Sequence, residues 1–178
     1  MTYGIIENRR CTNVIEADES FAKFIGAVPI LDGYWIGDYF DGQNWYHPKS
    51  ESEILESEKS ARIAQSKADL ETYLAEHPLQ WTDGEYYSIT AEKQNQLTSK
   101  IMAATMAQTL SADYTLTWNS TGEVCKEWTL QDLSALAFAI DARVTKLVGY
   151  QQAQEVAMRN AETLDELNAI EVDYDAVS

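Results

Sequence analysis

Two carboxylates sit among aromatic residues in the stretch GYWIGDYFDGQNWYHP, Gly33 to Pro48: Asp38 and Asp41, flanked by Trp35 and Trp45. A carboxylate pair over an indole floor is glycosidase equipment, one acid protonating the leaving oxygen while the other attacks or activates water. Asp41 is followed by Gly42, however, and an Asp-Gly dipeptide spends its carboxylate on its own turn. Aromatic residues alternating along a strand are accounted for by packing. His47 and His77 each precede a proline and have no Cys or His at metal-ligand spacing nearby, so they read as boundary residues. Cys11 and Cys125 lie far apart in sequence and read as two reduced, half-buried thiols. No Gly-rich phosphate loop, HExxH pattern or Gly-x-Ser-x-Gly elbow occurs. The expectation is a chain that is not an enzyme, with no catalytic, cofactor or metal site.

Protein contact is the chemistry that remains. Tyr and Trp offer large apolar area with a polar tip and are enriched at interface centres, which makes Tyr34, Trp35, Tyr39, Trp45 and Tyr46 the candidate anchors. Strand alternation turns about half of such a set inward, leaving the other half for a partner.

Composition narrows the partner. The net charge of -16, from 29 acidic and 13 basic residues, repels phosphate backbones and anionic lipid heads. Neither nucleic acid nor a membrane surface is expected to bind. No run reaches the roughly 20 apolar residues of a membrane span, and Met1-Thr2-Tyr3-Gly4 lacks the basic start of a secretion signal, so a cytoplasmic or virion protein is expected.

The elements that must position these residues are legible from periodicity and turn chemistry. YGIIEN and CTNVIEA, around Asn8-Arg9-Arg10, read as a hairpin. Asp18 is placed to cap a short helix bearing Phe21, Phe24 and Ile25 at three-four spacing, which Gly26 ends. Asp32-Gly33 and Asp41-Gly42 bracket an aromatic strand and imply a second hairpin. The first 48 residues thus form a small β-rich module, too small to be stable without support.

From Lys49 the chain reads as helix to about Glu76, a linker over 49–77. Ile54, Ala61, Ala68 and Ala75 recur every seven residues. That seam suits either a solvated helix with an alanine-rich contact face or a short dimeric or trimeric coiled coil. Residues 78–178 read as an α+β domain. A hairpin surrounds Asp83-Gly84, and a helix capped by Thr90 carries Leu97, Ile101 and Ala104, with Met102 and Met106 widening its buried stripe to more than one side. Two strands surround Asn119-Ser120-Thr121-Gly122. A long helix opens at Thr129 and Asp132 and carries Leu133, Leu136, Ala137, Ile140, Val144 and Leu147, and Thr163 to Glu166 is a capping box. The fold class expected for the whole chain is α+β.

The first module resembles the N-terminal module of many bacteriophage tail proteins, in which an I-I-E-N-G-x-x-x-N-V-I hairpin precedes G-A-x-P-I-x-x-G-x-x-I-G-D-x-x-D-G-x-x-W. Ile5 to Asn8, Asn13 to Ile15, Gly26-Ala27, Pro29-Ile30, Gly33, Ile36-Gly37-Asp38, Asp41-Gly42 and Trp45 fit that pattern. Arg9 departs from it, since the family turns on Gly there, and this puts the tightness of the first turn in question. The segment from about Leu79 to Tyr174 looks like an uncharacterised phage domain found in the C-terminal half of tail fibre assembly proteins. The resemblance implies no cofactor and no catalytic residues. It implies a chaperone for a trimeric tail fibre, acting in the host cytoplasm during assembly, or a permanent fibre or baseplate subunit in the virion tail that joins other subunits or touches a host receptor.

Overall fold

A computed structural model describes residues 1–177. The chain has an α+β fold and divides into two compact units, Met1–Glu56 and Ser57–Ser178.

In the first unit, β1 (Thr2–Glu7) and β2 (Arg10–Glu16) form the expected hairpin. Asn8 and Arg9 both take positive φ, 51° and 66°, so the turn is a tight two-residue one despite the side chain on Arg9. The register slips between Ile5 and Ile6, which leaves Thr12 as the extra residue of a bulge. Helix α1 (Glu19–Phe24) starts where the Asp18 carboxylate accepts the Phe21 N–H at 2.9 Å. Strands β3 (Val28–Pro29), β4 (Tyr39–Phe40) and β5 (Trp45–Tyr46) complete one antiparallel sheet in the order β3-β1-β2-β4-β5. The second hairpin therefore exists but is shorter than expected. Ile36 and Gly37 form a turn, and Tyr34 and Trp35 lie outside any strand.

One side chain ties this sheet together. Trp45 is buried, and its Nε1 donates to the carbonyl of Pro29 at 3.0 Å. Trp45 is on one edge strand and Pro29 on the other. Laid flat, four strand spacings would separate those edges by roughly 19 Å, beyond the reach of one indole. The sheet must curl for the bond to form. Gly4 permits the crossing: a Cβ there would lie 2.7 Å from Trp45 Cη2 and 3.1 Å from Cys11 Sγ. On β1, Tyr3 points to the opposite face and packs with Ala22 and Ala27.

Two features of this unit and its cysteines differ from what spacing alone suggests. Phe21, Phe24 and Ile25 are the exposed face of α1, with Phe24 at 85% exposure, while Ala22 is the buried one. The small side chain lets the helix sit close on the sheet, and the stripe at three-four spacing is left outside. Cys11 and Cys125 are both free, but neither is half-buried: Cys11 is buried and Cys125 exposed. Burial, reinforced by the Asp38 charge, pushes the Cys11 thiol above its ordinary value.

Helix α2 (Glu51–Glu76) begins just after a reciprocal capping box. The Ser50 hydroxyl accepts the Glu53 N–H at 3.2 Å and the Glu53 carboxylate accepts the Ser50 N–H at 2.8 Å. From Ser57 onward this helix belongs to the second unit. Its Leu70, Tyr73 and Leu74 enter that unit's main core, so this part is a packed element as well as a connection.

The second unit carries two short hairpins, β6 (Leu79–Gln80) with β7 (Tyr86–Tyr87), and β8 (Thr117–Trp118) with β9 (Lys126–Glu127). Three helices follow the expected starts: α3 (Ala91–Leu110) capped by Thr90, α4 (Leu130–Asn160) by Thr129 and α5 (Leu164–Asn168) by Thr163. The Glu166 carboxylate of the last box reaches one residue further back than expected, taking the Glu162 N–H at 2.8 Å. The α4 stripe is the spine of the core, with Leu133, Leu136, Ile140 and Leu147 all buried. Met102 and Met106 on α3 are exposed, at 60% and 56%, so that helix buries one face against α4 and not several.

Polar ties from α2 fix the C-terminal segments. Arg62 donates to the carbonyls of Leu167 at 2.8 Å and Ile170 at 2.6 Å, supplying the cation that the last turn of α5 lacks. Ser66 takes the Tyr174 hydroxyl on its carbonyl at 2.7 Å. Glu155 on α4 pairs with Arg159 and with Lys67 of α2, at 2.7 and 2.9 Å, and these partners pull its carboxyl down to about 2.

Gly4→Ala tests the crossing. Its added methyl collides with an indole whose far end is held by the Pro29 bond, and overpacking of this kind costs about 1–3 kcal/mol. Chemical denaturation should show that loss, whereas Gly149→Ala, where an added Cβ meets nothing within 4 Å, should show none.

Candidate protein interface

Asp38 organises the surface on which the aromatic candidates sit. Its main chain is tied to β2: the Cys11 N–H donates to the Asp38 carbonyl at 2.7 Å, and the Gly37 N–H donates to the Cys11 carbonyl at 2.9 Å. Gly37 sits at φ 104°, a conformation that side chains rarely adopt, and this turns the chain so that the next residue points back. The carboxylate then accepts the Trp35 N–H at 2.7 Å through one oxygen and meets His47 Nδ1 at 2.8 Å through the other. Burial opposes ionisation of Asp38, but the Trp35 N–H and His47 together outweigh it and hold the carboxyl below its ordinary value.

Asp41 is occupied differently. It accepts the N–H groups of Asn44 and Gln43, at 2.7 and 2.8 Å, and these bonds lower its carboxyl. Both carboxylates that could have imitated a glycosidase pair are thus engaged by their own backbone. The turn role of Asp41 was legible from Asp-Gly. That of Asp38 was missed, although its place three residues after Trp35 is the spacing at which a carboxylate can take a turn's N–H.

The five aromatic candidates separate by exposure. Trp35 is 60% exposed and Tyr46 42%, while Tyr34 and Tyr39 are half-buried. Trp45 is one of the inward members that such a set was expected to contain: at 6% exposure it is the sheet's inner tie. Tyr34 stacks on His47 at 4.8 Å between ring centroids, and Tyr39 stacks on Tyr46 at 5.6 Å. His47 is therefore more than a boundary residue, since it buttresses Tyr34 and Asp38 together. Trp35 stands free of these stacked pairs, on a turn closed by its own N–H and carbonyl, both bonded to Asp38.

The unit exposes further apolar side chains that the aromatic reading did not single out. Leu31 and Ile36 are 58% and 51% exposed and flank the same turn, and Phe21, Phe24 and Ile25 add the outer face of α1. Singly exposed apolar residues are ordinary, but seven such side chains besides Trp35 and Tyr46 in one small unit, Met1 and Ile54 included, are not.

The heptad candidates on α2 are brought to one face. Ala61, Ala68 and Ala75 are exposed and Ile54 is 38% exposed. At 100° per residue their stripe lies about half a turn from the buried line of Ile63, Ser66, Leu70 and Leu74. Among the described residues, no group of three or more His, Cys, Asp or Glu side chains could hold a metal ion, and no helix is long and apolar enough to cross a membrane.

Compared with protein-family models, with curated proteins and with solved structures, the chain matches none.

The Asp38 bonds give the first unit a defined acid response. Because its carboxyl is lowered on folding, its contribution is present at neutral pH and is lost as pH falls from the ordinary carboxylate range of about 4 downward. Asp38→Asn should be less stable than the parent at pH 7, and the gap between them should close below about pH 4. Denaturant midpoints measured across that range check the closing of the gap.

Proposed function

We propose that this chain is a non-enzymatic bacteriophage tail protein that acts in tail fibre assembly or attachment through protein contacts, as a chaperone. The observation that carries the reading is the display of large apolar side chains, above all Trp35 and Phe24, from a unit whose turns are fixed by backbone-level bonds. Rigid aromatic groups at the surface lose little entropy on docking and supply most of the energy of a contact. The resemblance of the first 45 residues to phage tail modules supplies the setting. Fibres of that kind are trimers, so the partner offers three equivalent copies of whatever strand or helix the apolar side chains meet. On this reading the protein works in the host cytoplasm while fibres assemble.

A second reading is favoured by the exposed Ile54, Ala61, Ala68 and Ala75 stripe, which suits self-association of α2 into a dimer or trimer. It makes the chain a permanent subunit of the tail fibre or baseplate. Mass spectrometry of purified particles separates the two, since a chaperone is absent from them and a subunit is present at integral copy number.

Co-expression with the neighbouring fibre gene tests the leading reading. Soluble trimeric fibre should depend on this chain, and Trp35→Ala with Phe24→Ala should reduce its yield several-fold while leaving the unfolding midpoint within about 0.5 kcal/mol of the parent. Fibre that is equally soluble and trimeric without the chain overturns the chaperone role.

A further inference from the structure

A groove of about 640 Å³ runs between α3 and the β8–β9 hairpin of the second unit, within the range of ligand-sized sites. One wall follows α3 from Glu92 to Lys100, and the other is made by Tyr114, Trp118 and their neighbours. Its surface is mostly apolar, yet Lys93 and Lys100 both line it.

Those two lysines are unusual in their setting. Both are half-buried, and neither ammonium group has a hydrogen bond or an ion pair among the described residues, although the chain carries 29 acidic side chains against 13 basic ones. The Lys93 ammonium lies over the Trp118 ring, its Nζ 5.2 Å from the centroid. Glu92, the acidic member of the lining, has its carboxylate engaged by Gln96 Nε2 at 3.0 Å. Two ammonium groups thus line one open groove with no anion of the protein's own on them among the described residues. An incoming carboxylate makes a charge-assisted hydrogen bond with each.

Spacing selects the kind of anion. Lys93 and Lys100 are seven residues apart, so they lie on one face of α3 and roughly 10 Å apart along its axis. A single phosphate or free carboxylate would reach both only if the two side chains converged on it. Two acidic side chains three residues apart on a segment in the polyproline II conformation match that spacing without convergence, since one turn of it is three residues, rises about 9 Å and puts both on the same side. Nucleic acid is disfavoured by the net charge of -16.

We propose that this groove binds an extended acidic peptide segment of a partner protein, with Lys93 and Lys100 each taking a carboxylate and the Tyr114 and Trp118 wall taking an apolar side chain between them. The site is separate from the apolar display of the first unit and does not depend on the tail reading.

The test is titration of the full chain with the capped peptide Glu-Leu-Thr-Glu and with its neutral counterpart Gln-Leu-Thr-Gln, followed by amide chemical shifts. The acidic peptide should bind with shifts confined to α3 and the β8–β9 hairpin, the neutral one at least about tenfold more weakly, and added salt should weaken binding by screening. Lys93→Gln and Lys100→Gln should each reduce affinity about fivefold. Lys146→Gln, on the exposed surface of α4, should not change it. All three variants keep good helix formers, so their unfolding midpoints should match the parent. Equal binding of the neutral peptide, equal binding of inorganic phosphate, or an equal loss in Lys146→Gln would each overturn the proposal.

Discussion

The hydrogen bond from Trp45 Nε1 to the Pro29 carbonyl is the constraint on which the first unit depends. It joins residues on opposite edges of a five-stranded sheet whose outer strands are only two residues long. Ladders that short cannot hold register by themselves. The indole supplies what they lack, and it lies over Gly4 and Cys11 because Gly4 leaves room for it. Tyr34 and Phe40 pack against the same indole, at 5.9 and 5.2 Å between centroids, so the segment from Tyr34 to Trp45 closes around it.

The outward display follows from that inward tie. With Trp45 inside, the chain between β3 and β4 must turn twice within a few residues, and Asp38 closes the second turn with both its carboxylate and its main chain. Trp35 is left outside by the same bonds that hold its backbone. The second unit solves a different problem. There α4 supplies one continuous apolar stripe, α2 and α3 each contribute one face, and the hairpins fill the gaps with Tyr87 and Trp118. Arg62, Ser66 and Lys67, within two turns of α2, fix α5, the Tyr174 segment and α4 by hydrogen bonds and an ion pair.

What could be read from the sequence was what is decided locally. Asp18, Thr90, Thr129 and Thr163 cap the helices they were expected to cap, because the bond each makes spans three residues. The Leu133 to Leu147 stripe was legible because four turns of consistent spacing leave one way to bury it. Periodicity failed where it was short. Phe21, Phe24 and Ile25 share a face, but a two-turn helix can equally sit on Ala22, and close approach to Tyr3 and Ala27 chose the small residue. Alternation did not decide which aromatics are exposed for a related reason: it was assigned across Tyr34 to Gly37, which is not strand, so exposure there follows the Asp38 bonds and not a period of two. The lysines facing the groove carried no sequence signal, since lacking a partner is a property of the folded surroundings.

The division of labour between an inner and an outer tryptophan is the central claim, and the five indole N–H signals measure it directly. In an amide and indole hydrogen-exchange experiment on the intact chain, the Trp45 indole should be protected to the level of the β1–β2 ladder while that of Trp35 exchanges at the rate of a solvent-exposed group. A Trp45 indole that exchanges as fast as Trp35 would contradict the account, because the edges of the sheet would then not be joined.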